Sequence, residues 1–129
     1  MAAVGVAGST FTVEVGATHY EDQVTSGTVT TTPTITRTKT LGDVNFTQTD
    51  LNSTIALNFL YDENTGMYDA LATAAAAGTS VSIEIATPSA GTNGQWLGTA
   101  MYIDSLDMVT DAANIAMCTV SLQGNVTYS

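Results

Sequence analysis

TVTTTPTITRTKT, residues 28–40, places threonine at every even position from Thr28 to Thr40. Period 2 is strand periodicity, in which successive side chains point to opposite sides of a sheet. One face of this ribbon is therefore Thr28, Thr30, Thr32, Thr34, Thr36, Thr38 and Thr40, and the other is Val29, Thr31, Pro33, Ile35, Arg37 and Lys39. The chain has only two cationic side chains, and both lie on that second face. Straight, the ribbon reaches roughly 43 Å at about 3.3 Å per residue, whereas a compact chain of this length has a radius of gyration of about 14 Å. It would overhang its own domain. Pro33 lacks an amide hydrogen and suits an edge, a bulge or a bend. Two courses are open: a pair of ordinary strands joined at Pro33, or an arm that reaches another molecule.

The remaining composition narrows the partners. A chain of 129 residues suits one domain with its own core, residues 1–129. Charged residues are 11% of the chain, less than half the usual fraction. Much of the surface must then be threonine, serine, asparagine, glycine and alanine, which desolvates easily and suits a subunit that buries several sides against copies of itself. Twelve carboxylates against two cations give a net charge of −10, which argues against a surface that neutralises phosphates. An acidic wall would repel DNA and let it slide past, but on charge alone plain solubility is the favoured reading. The single cysteine, Cys118, cannot form an internal disulfide and reads as core. MAAVGVAGSTF lacks the basic start and the apolar length of a signal peptide, and no segment reaches the length of a membrane span.

Outward from the ribbon, strand signals are plentiful and the helix signal is single. Phe11, Val13 and Val15 alternate with Thr12 and Glu14, a half-buried strand. HYEDQ, 19–23, reads as a loop, and LGDV as a turn near Gly42. Ile55, Leu57 and Phe59 make one side of a central strand. YDENTGMYDALATAAAAG then changes period, with Met67, Ala70, Leu71, Ala74 and Ala75 on one helical face. The spacing predicts a helix over about 64–77, capped by Asp62 or Asn64, favoured at its start by Asp62 and Glu63, and stopped by Gly78. Val81, Ile83 and Ile85 resume strand spacing, TPSAGTNG is a loop, and Leu97, Thr99, Met101 and Ile103 alternate until the apolar phase slips to Leu106 and Met108. A bulge near Asp104 and Ser105 absorbs that slip. Ala116, Cys118, Val120 and Leu122 share a face of the last strand, which pairs antiparallel with the one before it. The inventory is mainly β: six or seven antiparallel strands in a two-sheet sandwich or rolled barrel with one flanking helix.

Candidate chemistry is sparse. His19 stands beside Tyr20, Glu21 and Asp22, but chain neighbours do not face one another, and no motif joins His19 to Cys118 or to a hydroxyl. Asp104, Asp107 and Asp111 lack the alternation and central glycine of a calcium loop. The glycines of GTNGQWLG precede a strand, with neither helix nor lysine behind them to hold phosphate. The expectation is a protein without enzymatic activity, cofactor or metal.

The order of pieces carries a resemblance. LNSTIALNFLYDENTG, the alanine-rich ALATAAAAG, the strand SVSIEI, a glycine-rich loop, and the closing AMYIDSLDMVT and NIAMCTVSLQGNVTY together resemble the short major tail tube proteins of long-tailed, siphovirus-like bacteriophages. The resemblance is best from about Leu41 onward, on phrases such as VNFTQTDLNST and LYDENTG. It implies a small β-sandwich with a flanking helix, joined into hexameric rings that stack into a tube in the virion tail, assembled in the host cytoplasm. Further implied partners are other copies of the chain and other tail proteins at the tube ends. DNA would pass through the lumen without specific binding, and no membrane is involved. A long hairpin gripping the next ring would account for residues 24–42, with Thr28, Thr30, Thr32, Pro33, Ile35, Arg37 and Lys39 as inter-subunit contacts. Two other readings compete: a capsid decoration protein, and a soluble glycan-binding module with Trp96, Tyr102 and Tyr20 as stacking residues.

Overall fold

Strict alternation in STIALNFL decides what the chain is built around. A computed structural model describes residues 6–63, 66–88 and 94–129. In it, Ile55, Leu57 and Phe59 are fully buried while Asn58 between them is exposed. They belong to β4 (Val44–Leu60), flanked by β3 (Val24–Lys39) and β7 (Met117–Gly124). The other strands are β1 (Thr12–Val15), β2 (Thr18–His19), β5 (Val81–Ala86), β6 (Gln95–Val109) and β8 (Thr127–Tyr128). All pairings are antiparallel, in the order β2-β1-β5-β6-β7-β4-β3, with β8 also on β6.

β6 joins two halves. Its first part pairs with β5 and β8, and its second part, from Tyr102, pairs with β7. The ladder slips one residue opposite Val81 and Ile83, and again between Ile103 and Ser105. Bulges bend and twist a strand, and here they carry one chain from one half to the other. The halves bury a common core: Val13, Val15, Ile83 and Ile85 on one side, Ile55, Leu57, Phe59, Val120 and Leu122 on the other. The roll does not close, since β2 and β3 are both edges.

The second slip falls where the phase of the sequence breaks. The first does not show in the sequence: Leu97, Thr99, Met101 and Ile103 look like one face, but the structure buries Gly98 and Met101 and exposes Thr99. Glycine is needed there because Met101 fills the space. A Cβ on Gly124 would lie 2.8 Å from the backbone oxygen of Ala100 and 2.7 Å from Met101 Sδ. Gly124→Ala should therefore lower stability by about 1–3 kcal/mol, as overpacking does. Gly98→Ala, which meets only the movable Met101 side chain at 2.6 Å, should cost less; urea midpoints measure both.

The helix, α1 (Met67–Ala77), begins later than the spacing suggests. Its N-cap position is Gly66, which makes no side-chain cap bond, and Asn64 lies outside the described residues. The orphan N–H of Met67 donates instead to Gln23 Oε1 at 3.1 Å, a cap supplied from 44 residues earlier in the chain. Asp69 is the acid in the first turn. Gly78 ends the helix at φ 69°, as its position suggests. Met67, Leu71 and Ala74 are buried, whereas Ala70 and Ala75 face solvent. HYEDQ is only partly a loop: Gly16, at φ 64°, turns β1 into β2, His19 ends β2, and Tyr20 is buried. Among the described residues no helix is long and apolar enough to cross a membrane.

Candidate assembly surfaces

β3 and β4 form a hairpin much longer than the body that holds it. β7 supports β4 only from Leu60 back to Ser53, where Gly124 is its partner. Beyond that point β3 and β4 pair with each other alone, through Thr32↔Asn52 to Lys39↔Val44. At about 3.3 Å per residue, Val44–Asn52 extends roughly 30 Å. Every residue of 30–43 and 45–52 is exposed. Pro33 does not divide the ribbon; it stands opposite Leu51 in an edge strand, where proline is tolerated. The tip is closed by Thr40 and Asp43: the Thr40 N–H donates to the Asp43 carbonyl at 2.8 Å, and the Asp43 N–H donates to Thr40 Oγ1 at 3.1 Å.

The boundaries differ from 24–42. Val24 and Val29 pack against the core, so the base of β3 belongs to the body, and half of the projecting hairpin is Val44–Asn52. The sequence hides that second strand because its ladder slips between Thr34 and Ile35, leaving Thr49 as the extra residue. Thr49 Oγ1 lies 3.4 Å from Thr36 Oγ1.

The two faces of the hairpin are unlike. Thr30, Thr32, Thr34, Thr36 and Thr38 stand opposite Thr54, Asn52, Asp50, Thr47 and Asn45. This hydroxyl and amide face continues over the body, where Ser26, Asn58 and Thr119 lie side by side. There Asn58 Nδ2 donates to Ser26 Oγ at 2.8 Å, and Thr119 Oγ1 donates to Asn58 Oδ1 at 2.9 Å. The opposite face pairs Pro33 with Leu51, Ile35 with Gln48, Arg37 with Phe46 and Lys39 with Val44. It extends the same side of the sheet on which Ile55 and Leu57 are buried and Val29 packs against the core. A core-type face thus runs out into solvent: Ile35 is 59% and Phe46 68% exposed. Among the described residues, no carboxylate pairs with Arg37 or Lys39; the ion-pair contacts are His19 with Glu14 and with Glu21.

Ser53 marks the root of the arm. It is fully buried, and its hydroxyl has no hydrogen-bond partner among the described residues. An unsatisfied buried hydroxyl is destabilising, so Ser53→Ala should raise stability by about 1 kcal/mol in a urea titration.

The residues weighed for chemistry are dispersed. His19 Nε2 lies 3.8 Å from Glu14 and Nδ1 3.4 Å from Glu21, on the exposed edge strand β2. Cys118 is fully buried, and desolvation raises its thiol pKa. Among the described residues no three His, Cys, Asp or Glu side chains gather to hold a metal ion. Tyr20 is buried and Tyr102 lies on the exposed face of the β6–β7 half. Trp96 packs between Phe11 and Tyr128, with ring centroids 6.2 and 5.0 Å away. The three aromatics therefore form no common platform. An open groove of about 860 Å³ lies between Trp96, Phe11 and Ile85 on one side and Val24, Gly27 and Val29 on the other.

The overall fold, an open antiparallel roll with one flanking helix, is one this chain shares with chains of gene transfer agent particles and of a contractile injection system. A chain from the virion of a native gene transfer agent particle superposes with a TM-score of 0.78 at 10% identity, over 97% of this chain and 99% of that one. A chain from the sheath/tube terminator of an extracellular contractile injection system (PVC) in the extended state gives 0.75 at 16% identity, over 100% and 99%. A chain from the tail of an empty gene transfer agent particle, of C6 symmetry, gives 0.67 at 10% identity, over 83% and 82%. At these identities the likeness is one of fold. No family model matches the chain, and no curated protein does.

Proposed function

We propose that the chain is a structural virion protein, a major tail tube subunit that assembles with copies of itself into stacked hexameric rings around a DNA-conducting lumen. The observation that carries this reading is the hairpin: a projecting ribbon with an exposed core-type face and both cations of the chain has no use in the monomer. The fold shared with tail and injection-system chains supports it, and one of those tails has six-fold symmetry. Arg37 and Lys39 meet carboxylates of a neighbouring copy, and Thr28, Thr30, Thr32, Pro33 and Ile35 lie along the contact. The broad hydroxyl and amide face offers duplex DNA no cation with which to hold phosphate, which suits passage without binding. No step of this function requires catalysis.

Salt dependence follows from charge. Six copies at −10 each carry about −60 formal charges, a self-repulsion that burial and strand pairing must overcome. At 10 mM salt the screening length is about 30 Å, comparable to the arm, and at 150 mM it is about 8 Å. Assembly should therefore rise between those two conditions. Negative-stain electron microscopy of the purified protein at high concentration tests both points. Hollow tubes or stacked rings, more abundant at 150 mM, are expected. Closed trimers, or monomers that bind only capsids, would favour a decoration protein, and tubes that dissolve on raising the salt would contradict the charge account.

A further inference from the structure

Given the tail tube reading, on which this inference rests, we infer which surface of the next copy receives the arm: the end of the body opposite to it, made by Tyr61–Glu63 and the β6–β7 turn. Strand register fixes the two poles. β4 runs from the arm at Val44 to Leu60, and Leu60 pairs with Met117, which pairs with Val109. The Tyr61 N–H donates to the Ala116 carbonyl at 3.3 Å, holding the chain after β4 against the β6–β7 turn. The turn before β3 joins the same pole, because Asp22 and Gln23 line one shallow cleft with Tyr61, Asp62 and Glu63.

This pole complements the core-type face of the arm, which carries Arg37 and Lys39, in both apolar surface and charge. It exposes Tyr61, Met108, Val109 and Ile115, the last at 71%, against the exposed Ile35, Phe46 and Leu51 of the arm. Asp22, Asp62, Glu63, Asp107 and Asp111 lie at this pole, and every lysine and arginine of the chain is on the arm. Asp111 accepts hydrogen bonds from the Ala113 N–H and the Asn114 amide, which hold its carboxyl below the usual range and so ionised. Glu63 and Asp107 are exposed. A contact between opposite poles of identical chains is heterologous, and with its two surfaces at opposite ends of the body it sets copies one above the other instead of closing them into a ring. Repeated, it gives an open-ended axial stack in which every arm points the same way.

Charge reversal at both poles tests the contact apart from net charge. Arg37→Glu/Lys39→Glu makes the subunit more negative than −10 and Glu63→Lys/Asp107→Lys makes it less so, while the fourfold variant returns to −10. Both partial variants should raise the concentration needed for sedimentable tubes by about tenfold or more, including the pole variant whose overall repulsion is lower, and the fourfold variant should recover most of the loss. All four side chains are exposed, and unchanged thermal midpoints would show that each variant folds. A fourfold variant no better than the arm variant, while the wild type forms tubes, overturns the acceptor assignment and leaves the tube reading intact. Wild-type protein that stays as discrete particles at every salt level overturns the tube reading and this contact together. As a second measurement, Ile35→Cys and Ile115→Cys in one chain, both at exposed positions, treated with a bismaleimide, should give a ladder of covalent multimers in tubes. Buried Cys118 in wild-type tubes should give none. Tubes of the double-cysteine chain that remain monomers on a denaturing gel would overturn the contact.

Discussion

Replacing residues 33–51 with Asn-Gly should abolish tube formation while leaving the folded body almost as stable as before. The junction suits a two-residue hairpin turn, because Thr32 and Asn52 are partners across the ladder and Asn-Gly is the preferred sequence for such a turn. The deleted residues contribute nothing to the core, which lies entirely on the body side of Ser53↔Gly124. A two-stranded ribbon with both faces in water is marginal by itself, so its removal withdraws little folding free energy. The melting midpoint should move by no more than about 5 °C, roughly 1 kcal/mol for a chain of this size. The sedimentable fraction should fall to background at concentrations where the wild type assembles. A loss of more than about 15 °C would mean that the arm folds back on its own body. Tubes formed without the arm would remove the observation on which the proposed function stands.

The ribbon also shows how far the residues alone can be read. Alternation in β3 and in STIALNFL is strong because each strand has one face made of one kind of residue, and the buried trio Ile55, Leu57 and Phe59 follows from it directly. The same rule fails wherever a bulge inserts a residue. Thr49 hides the outer half of β4, and the slip beside Val81 exchanges Thr99 for Gly98 in the core. The helix start was only partly legible: Gln23 meets Met67 only after β3 and β4 have brought distant segments together, a partner that no local pattern announces. Of the candidate contacts, Arg37, Lys39, Pro33 and Ile35 do share one exposed face of the arm. Their apolar companions Phe46 and Leu51 come from the strand that alternation did not reveal, and the opposite pole exists only through the register of β4, β6 and β7.

Phe59→Ala should have the opposite signature to loss of the arm: a protein that fails to fold before it fails to assemble. Phe59 is fully buried on β4, between Val24 of β3 and Cys118 of β7 in the ladder. Truncating such a ring leaves a cavity as well as removing apolar contact, at a cost of about 3–5 kcal/mol. Small domains are stable by only about 5–15 kcal/mol, so the melting midpoint should fall by roughly 10–25 °C. Phe59→Leu keeps most of the volume and should lose about 1.5 kcal/mol or less. Assembly binds only the folded form and pulls the equilibrium toward it, so the Phe59→Ala defect should shrink as protein concentration rises through the tube-forming range. That concentration dependence should disappear when the same substitution is placed in the arm-deleted chain, because a chain that does not assemble has no oligomer to pull the equilibrium toward the folded form. A Phe59→Ala midpoint that rises with concentration even without the arm would mean that the body carries a self-association surface strong enough to act alone.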